Sequence, residues 1–141
     1  MEKDFRRIQL VHFAFIGTWL LFLLMFKFLP PIQASLPLYV PAAMGFACLT
    51  DVTIGFVRRA SHIAQATEIL RNDPENRAGL AKWRVANIVS FAFAETATLF
   101  GFILRLLGTS WNIAGIFYGI GLLLLILWTP RKIEALPRGV S

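Results

Sequence analysis

The stretch from residue 85 to residue 107 reads VANIVSFAFAETATLFGFILRLL, and it decides the fold class of this chain. It is 23 residues long and carries two charged residues, Glu95 and Arg105. About 20 apolar residues in a helix are enough to cross a hydrocarbon core of about 30 Å. The length and composition of this stretch therefore predict a transmembrane helix.

Three further stretches have the same character, at residues 8–29, 36–57 and 111–129. The chain of 141 residues is 57% hydrophobic and only 16% charged, whereas an ordinary soluble domain is about 25% charged. This composition excludes a soluble globular domain and a disordered chain. We predict an all-α polytopic membrane protein, a single membrane domain over residues 1–141 with four transmembrane helices and a loop at residues 58–84.

The basic residues indicate the orientation of these helices. The N-terminus, the 58–84 loop and the C-terminal tail hold 12 of the 14 Lys and Arg residues, and the other two loops hold none. Short loops rich in Lys and Arg stay on the cytoplasmic side of a membrane. We therefore expect both termini and the loop to be cytoplasmic, in the inner membrane of a bacterial cell. On this interpretation the formal charge of +6 reflects topology, and we expect no nucleic-acid partner.

The 58–84 loop is predicted to be helical rather than irregular. Residues 61–71 read as an inward extension of the second span, and Asn72-Asp73-Pro74 ends it, because a residue that precedes proline disfavours the α conformation. A new helix is expected to start at Pro74-Glu75-Asn76 and to continue into the third span. The prediction is a bent helical hairpin that projects into the cytoplasm.

Small residues indicate where helices pack closely, because lipid offers no hydrophobic force between helices. The third span has Ser90, Ala94, Ala97 and Gly101 on one stripe, and the fourth has a GxxxG pattern. These faces could pack the bundle internally, which we favour, or could join the chain to a second copy or a larger membrane complex. The candidate packing residues are Ala97, Gly101, Gly115 and Gly119.

Two ionisable residues lie at similar depths in the first two spans. His12 is four residues past the start of its span, and Asp51 is six residues before the end of the 36–57 span. Charged groups inside a span cost about 2.5–3.5 kcal/mol on insertion scales, so each needs a partner or a function. We predict a hydrogen bond between His12 and Asp51 that joins the two helices.

Glu95 is the strongest candidate for a functional residue. It lies ten residues into its span, about 15 Å from the membrane edge, and hydrocarbon disfavours its charged form. With Thr96 beside it and Asp51 nearby, it could bind and release a proton or Na⁺. The alternatives are a protonated carboxyl that hydrogen-bonds a neighbouring helix, and recognition of a partner.

Enzyme chemistry is not indicated by any motif. The sequence contains no Walker loop, GxSxG, HExxH or CxxC pattern, and Cys48 is its single cysteine. We expect a non-enzymatic protein without a cofactor, apart from a bound proton or Na⁺.

Residues 44–103 contain two local motifs, Arg71-Asn72-Asp73-Pro74-Glu75 and the run from Ala94 to Ile103 that includes Glu95. They resemble the turn and the carboxylate-bearing second helix of the rotary ATPase proteolipid, the c subunit of the membrane ring. The resemblance implies that Glu95 carries the ion and that Thr96 is a hydroxyl ligand. The helices before and after this hairpin, and Arg105 at its outer end, depart from the family pattern.

These observations lead to three functional hypotheses. The first is a small membrane subunit that handles protons or small cations at Glu95. The second is a structural or assembly subunit of a larger membrane complex, in which the cytoplasmic hairpin and the GxxxG face make the contacts. The third is a dimeric transporter of organic cations, which would need an aromatic-lined cavity beside Glu95.

Overall fold

The computed structural model describes residues 2–28, 36–131 and 133, without the side chain of Lys27. Its regular secondary structure over these residues is α-helical, which confirms the predicted all-α class. The four helices are α1 (Glu2–Phe28), α2 (Tyr39–Asn72), α3 (Arg77–Leu106) and α4 (Trp111–Leu127).

Three of these helices, α1, α2 and α3, are long and apolar enough to cross a membrane. The fourth, α4, is the most apolar of the four helices but has 17 residues, which corresponds to about 25 Å of helix. That the four helices cross the bilayer, and that the termini are cytoplasmic, stay predictions. The connection at 29–35 and the C-terminal residues 132 and 134–141 lie outside the described residues.

Helix α3 is the centre of the bundle, because it packs against α1, α2 and α4. Phe91 of α3 contacts His12 of α1, and Phe102, further along α3, contacts Phe22, further along α1, so these two helices run in the same direction. Helices α2 and α4 run antiparallel to α3, which gives an up-down-up-down arrangement. The first turn of α1 and the last turn of α4 consequently lie at the same end of the bundle.

The turn between α2 and α3 has a clear cause in the sequence. Asp73 adopts an extended conformation (φ −138°, ψ 94°), as expected for the residue before Pro74. The Asn76 side chain then accepts hydrogen bonds from the backbone N–H groups of Ala78 and Gly79, both at 3.1 Å, and so caps α3. The predicted start at Pro74 was therefore early: Pro74 and Glu75 form the turn, and α3 begins at Arg77.

Residues 58–84, which we call the arm, consist of the second half of α2, this turn and the start of α3. The two helices cross closely here, since a Cβ on Gly79 would lie 2.8 Å from the Ile69 side chain and 2.9 Å from that of Leu70. Lys82 also donates a hydrogen bond to Gln65 across the pair, at 2.8 Å. The predicted helical hairpin is thus present; its location in the cytoplasm is untested.

The turn between α3 and α4 depends on one glycine. Gly108 has φ 92°, a conformation in which a Cβ would be strained. The N–H groups of Gly108 and Thr109 bond the carbonyls of Arg105 and Leu104, the paired bonds of a Schellman motif. This compact ending brings α4 directly back along α3.

Candidate functional site

Glu95 lies inside the bundle, on the side of α3 that faces α1 and α4. Its side chain is buried, with the residue 8% exposed. Neither carboxyl oxygen has a hydrogen-bond partner among the described residues. Buried polar atoms in proteins are almost always paired, so an unpaired carboxyl in an apolar bundle calls for an explanation. The interpretation of Glu95 as a hydrogen-bonded link between helices is therefore wrong for this arrangement.

Aromatic rings lie above and below Glu95 on the same face of α3. One turn before it, Phe91 packs against His12 and Phe15, with ring centroids 4.9 and 5.8 Å away. Two turns after it, Phe102 packs against two further phenylalanines of α1 at 5.0 and 5.2 Å. Because residues 91, 95 and 102 share a helical face, α1 covers Glu95 between two layers of rings.

Tyr118 of α4 is the polar neighbour of Glu95. The two side chains are close enough to interact electrostatically, and the Tyr118 hydroxyl is also buried without a hydrogen-bond partner in the described part of the chain. The indole N–H of Trp19 in α1 donates to the Tyr118 carbonyl at 3.1 Å, which fixes α1 against α4 at this level. The site is thus a junction of three helices with an unpaired carboxyl and an unpaired phenol.

No hydrogen bond joins Glu95 to the other residues of the predicted ion site in the described part of the chain. The Thr96 hydroxyl donates to the Ala92 carbonyl of its own helix at 3.0 Å, and Asp51 lies half-buried on α2. No group of three or more His, Cys, Asp or Glu side chains within the described ranges could hold a metal ion. Binding of H⁺ or Na⁺ by Glu95, Thr96 and Asp51 stays a prediction.

The predicted hydrogen bond between His12 and Asp51 is wrong. His12 is buried, and its Nε2 bonds the Leu125 carbonyl of α4 at 2.8 Å. The reason is the helix order: α1 packs against α3 and α4, whereas α2 packs against α3. His12 therefore joins the first and fourth helices rather than the first and second.

The four predicted packing residues separate into two classes. Ala97 is 1% exposed, and a Cβ on Gly101 would lie 2.9 Å from the Ala114 carbonyl oxygen, so both serve the internal packing of α3. Around Gly115 and Gly119 a Cβ would meet no atom of the described residues within 4 Å. Among the described residues the favoured interpretation, internal packing, is therefore wrong for the GxxxG pattern, because Gly119 is exposed and Gly115, although half-buried, has no neighbour that a Cβ would meet.

Sequence reasoning missed three features of this region. Gly121 is the glycine through which α4 contacts α3, because a Cβ there would collide with the Thr98 hydroxyl and lie 2.9 Å from the Ala94 carbonyl oxygen. Tyr118 and Trp19 were not selected either. The sequence did mark both residues, because each carries a polar group inside an apolar span. Which residues they contact depends on the helix order, which the sequence does not show.

Comparison of the chain with models of known protein families, with curated proteins and with solved structures returns no match. The function has to be inferred from the geometry described above.

Proposed function

We propose that this chain is a small, non-enzymatic subunit of the inner membrane that acts by associating with transmembrane helices of a second copy or of a larger membrane complex. The observation that carries this proposal is the uncovered Gly115–Gly119 face of α4. A GxxxG face permits close approach of two helix backbones in lipid. Within the described residues, α1, α2 and α3 leave this face free.

The burial of Glu95 supports this proposal over conduction. A carboxyl that carries ions needs contact with water, lipid or a polar cavity during its cycle. Glu95 instead lies at a helix junction between layers of aromatic rings, and the Tyr118 ring packs edge-on against Trp19 with centroids 6.3 Å apart. The organic-cation hypothesis needs an open aromatic-lined cavity beside Glu95, and the low exposure of this residue, 8%, argues against such a cavity.

Cysteine cross-linking in native membranes tests the association directly. In a Cys48→Ala background, Gly119→Cys should form a disulfide-linked dimer on oxidation, because the two α4 backbones approach closely at this residue. Gly17→Cys is the matched control, since Gly17 of α1 also has open space around it but lacks a GxxxG partner. Equal cross-linking at both sites would indicate random collision and would contradict a specific α4 interface.

A second candidate function is the handling of protons or small cations at Glu95. The specific observation in its favour is the pair of buried, unpartnered carboxyl oxygens, since an unsatisfied buried group often marks a functional site. Flux of H⁺ or Na⁺ into vesicles that contain the purified chain tests it. Glu95→Gln should abolish flux, whereas Glu68→Gln, which removes an exposed acid of the arm, should leave it unchanged. Equal flux in both variants would exclude this candidate.

A further inference from the structure

A shallow groove of about 280 Å³ lies between α2 and the end of α4. Phe56, Ile63 and Trp128 form its apolar walls, and Arg59 supplies a charge. The Trp128 ring packs edge-on against the Phe56 ring, with centroids 5.0 Å apart, so the walls support each other. Arg59 lies two residues beyond the predicted end of the second span, at the level where phospholipid headgroups meet the hydrocarbon.

The Arg59 guanidinium is held in place by neutral partners. Its Nη1 donates to the Asn87 side-chain oxygen at 3.1 Å and to the Ser90 hydroxyl at 3.2 Å. Asn87 is itself anchored, because its amide nitrogen donates to the Trp83 carbonyl at 2.8 Å. A guanidinium has five N–H donors, and those on Nε and Nη2 have no acceptor among the described residues. The side chain is therefore oriented but keeps donors for a further ligand.

The charge of Arg59 is also not neutralised by the described part of the chain. No described carboxylate forms an ion pair with it. Arg131, the exposed arginine just beyond α4, is close enough to interact with it electrostatically. Two neighbouring guanidinium groups without a carboxylate repel each other, and an anion that binds both relieves the repulsion. Phosphate oxygens match the planar arginine fork particularly well.

We propose that this groove binds an anionic phospholipid, with its phosphate on Arg59 and Arg131 and its glycerol and upper acyl chain along Phe56, Ile63 and Trp128. Basic pockets between helices at a membrane surface are suited to such headgroups. The apolar walls favour a lipid over a free phosphate ion, because an ion would leave them uncovered. The inference rests on membrane insertion alone and is independent of which function is correct.

Native mass spectrometry of the full chain in neutral detergent tests the proposal with defined lipids. We expect phosphatidylglycerol to bind more tightly than phosphatidylcholine. Arg59→Gln and Arg131→Gln should each weaken phosphatidylglycerol binding by about tenfold. Arg59→Lys keeps the positive charge but loses the planar guanidinium group. Its affinity for phosphatidylglycerol should therefore lie between those of the wild type and of Arg59→Gln. The matched control is Arg58→Gln, which removes the same charge one residue away, outside the groove lining.

Each alternative has its own result. Equal binding of the two lipids, or an equal loss in Arg58→Gln and Arg59→Gln, would show general surface attraction and overturn the site. Displacement of the lipid by millimolar inorganic phosphate would identify a free-phosphate site, and binding of an acidic peptide instead of lipid would identify a protein partner; either would overturn the proposal. Loss of binding in Arg131→Gln cannot be attributed to misfolding, because the Arg131 side chain makes none of the hydrogen bonds to Asn87 and Ser90.

Discussion

Helices α3 and α4 both contain small residues at a spacing that favours close helix packing, but these residues have different surroundings in the two helices. The small residues of α3 are enclosed by neighbouring helices, and Gly101 touches the backbone of α4. No described residue lies within 4 Å of a Cβ on either GxxxG glycine of α4, while the contact with α3 falls on Gly121. Small residues therefore mark faces suited to close packing, but the partner of each face depends on which helices are neighbours.

Gly121→Leu should have the largest effect on this comparison. A Cβ at residue 121 collides with the Thr98 hydroxyl and the Ala94 carbonyl, so α3 and α4 would have to separate. We expect the free energy of unfolding to fall by about 3 kcal/mol, as measured by denaturation of the monomer in detergent. Gly119→Leu makes the same change two residues away in open space and should stay within about 0.5 kcal/mol of wild type. Similar losses in both variants would mean that the α3–α4 contact is misplaced.

Gly101→Ala should have an intermediate effect. The new methyl group would lie 2.9 Å from the Ala114 carbonyl oxygen and 3.0 Å from the Phe117 Cβ, and a backbone oxygen cannot move away as a flexible side chain can. We expect a loss of about 1–2 kcal/mol in the same unfolding assay.

Its control is Gly115→Ala, for which nothing lies within 4 Å of the added methyl group. That variant should match the wild type or gain up to about 1 kcal/mol, because alanine favours a helix more than glycine does. A clear loss in Gly115→Ala would show that the α4 face is covered within the chain.

The helix caps provide the smallest test of the difference between α3 and α4. Asn76 caps α3 with two side-chain hydrogen bonds, whereas the Ser110 side chain makes no capping bond to α4. Asn76→Ala should cost about 1 kcal/mol and speed hydrogen exchange at the Ala78 and Gly79 amides. Ser110→Ala should change neither the stability nor the exchange of α4, and an equal effect of both changes would remove this distinction.

Much of the fold was predictable because spans and turns depend on local sequence. Apolar length located the helices, Asp73-Pro74 marked the end of α2, and α4 begins at the expected Trp111. The position of Glu95 within its span indicated its depth in the membrane, but not whether it faces lipid, a cavity or a neighbouring helix. These properties need no knowledge of neighbouring helices.

Side-chain pairing was not predictable, because it depends on which helices touch. The expected His12–Asp51 bond assumed that consecutive helices are neighbours, whereas α3 takes the central position and His12 meets Leu125. For the same reason, the sequence did not predict that Tyr118 of α4 would be the neighbour of Glu95. Periodicity defines the faces of a helix, and only the tertiary arrangement assigns a partner to each face.

The length of α2 has a consequence for anything that meets this protein from solution. Its 34 residues measure about 50 Å, and a bilayer core occupies about 30 Å of that length. On the prediction that α2 crosses the bilayer, about 20 Å of uninterrupted helix remains outside the hydrocarbon, and α3 supports it at the Gly79 crossing. A soluble protein that docks on the Asp73–Asn76 tip would thus be held clear of the headgroups, at a height set by a count of helical turns.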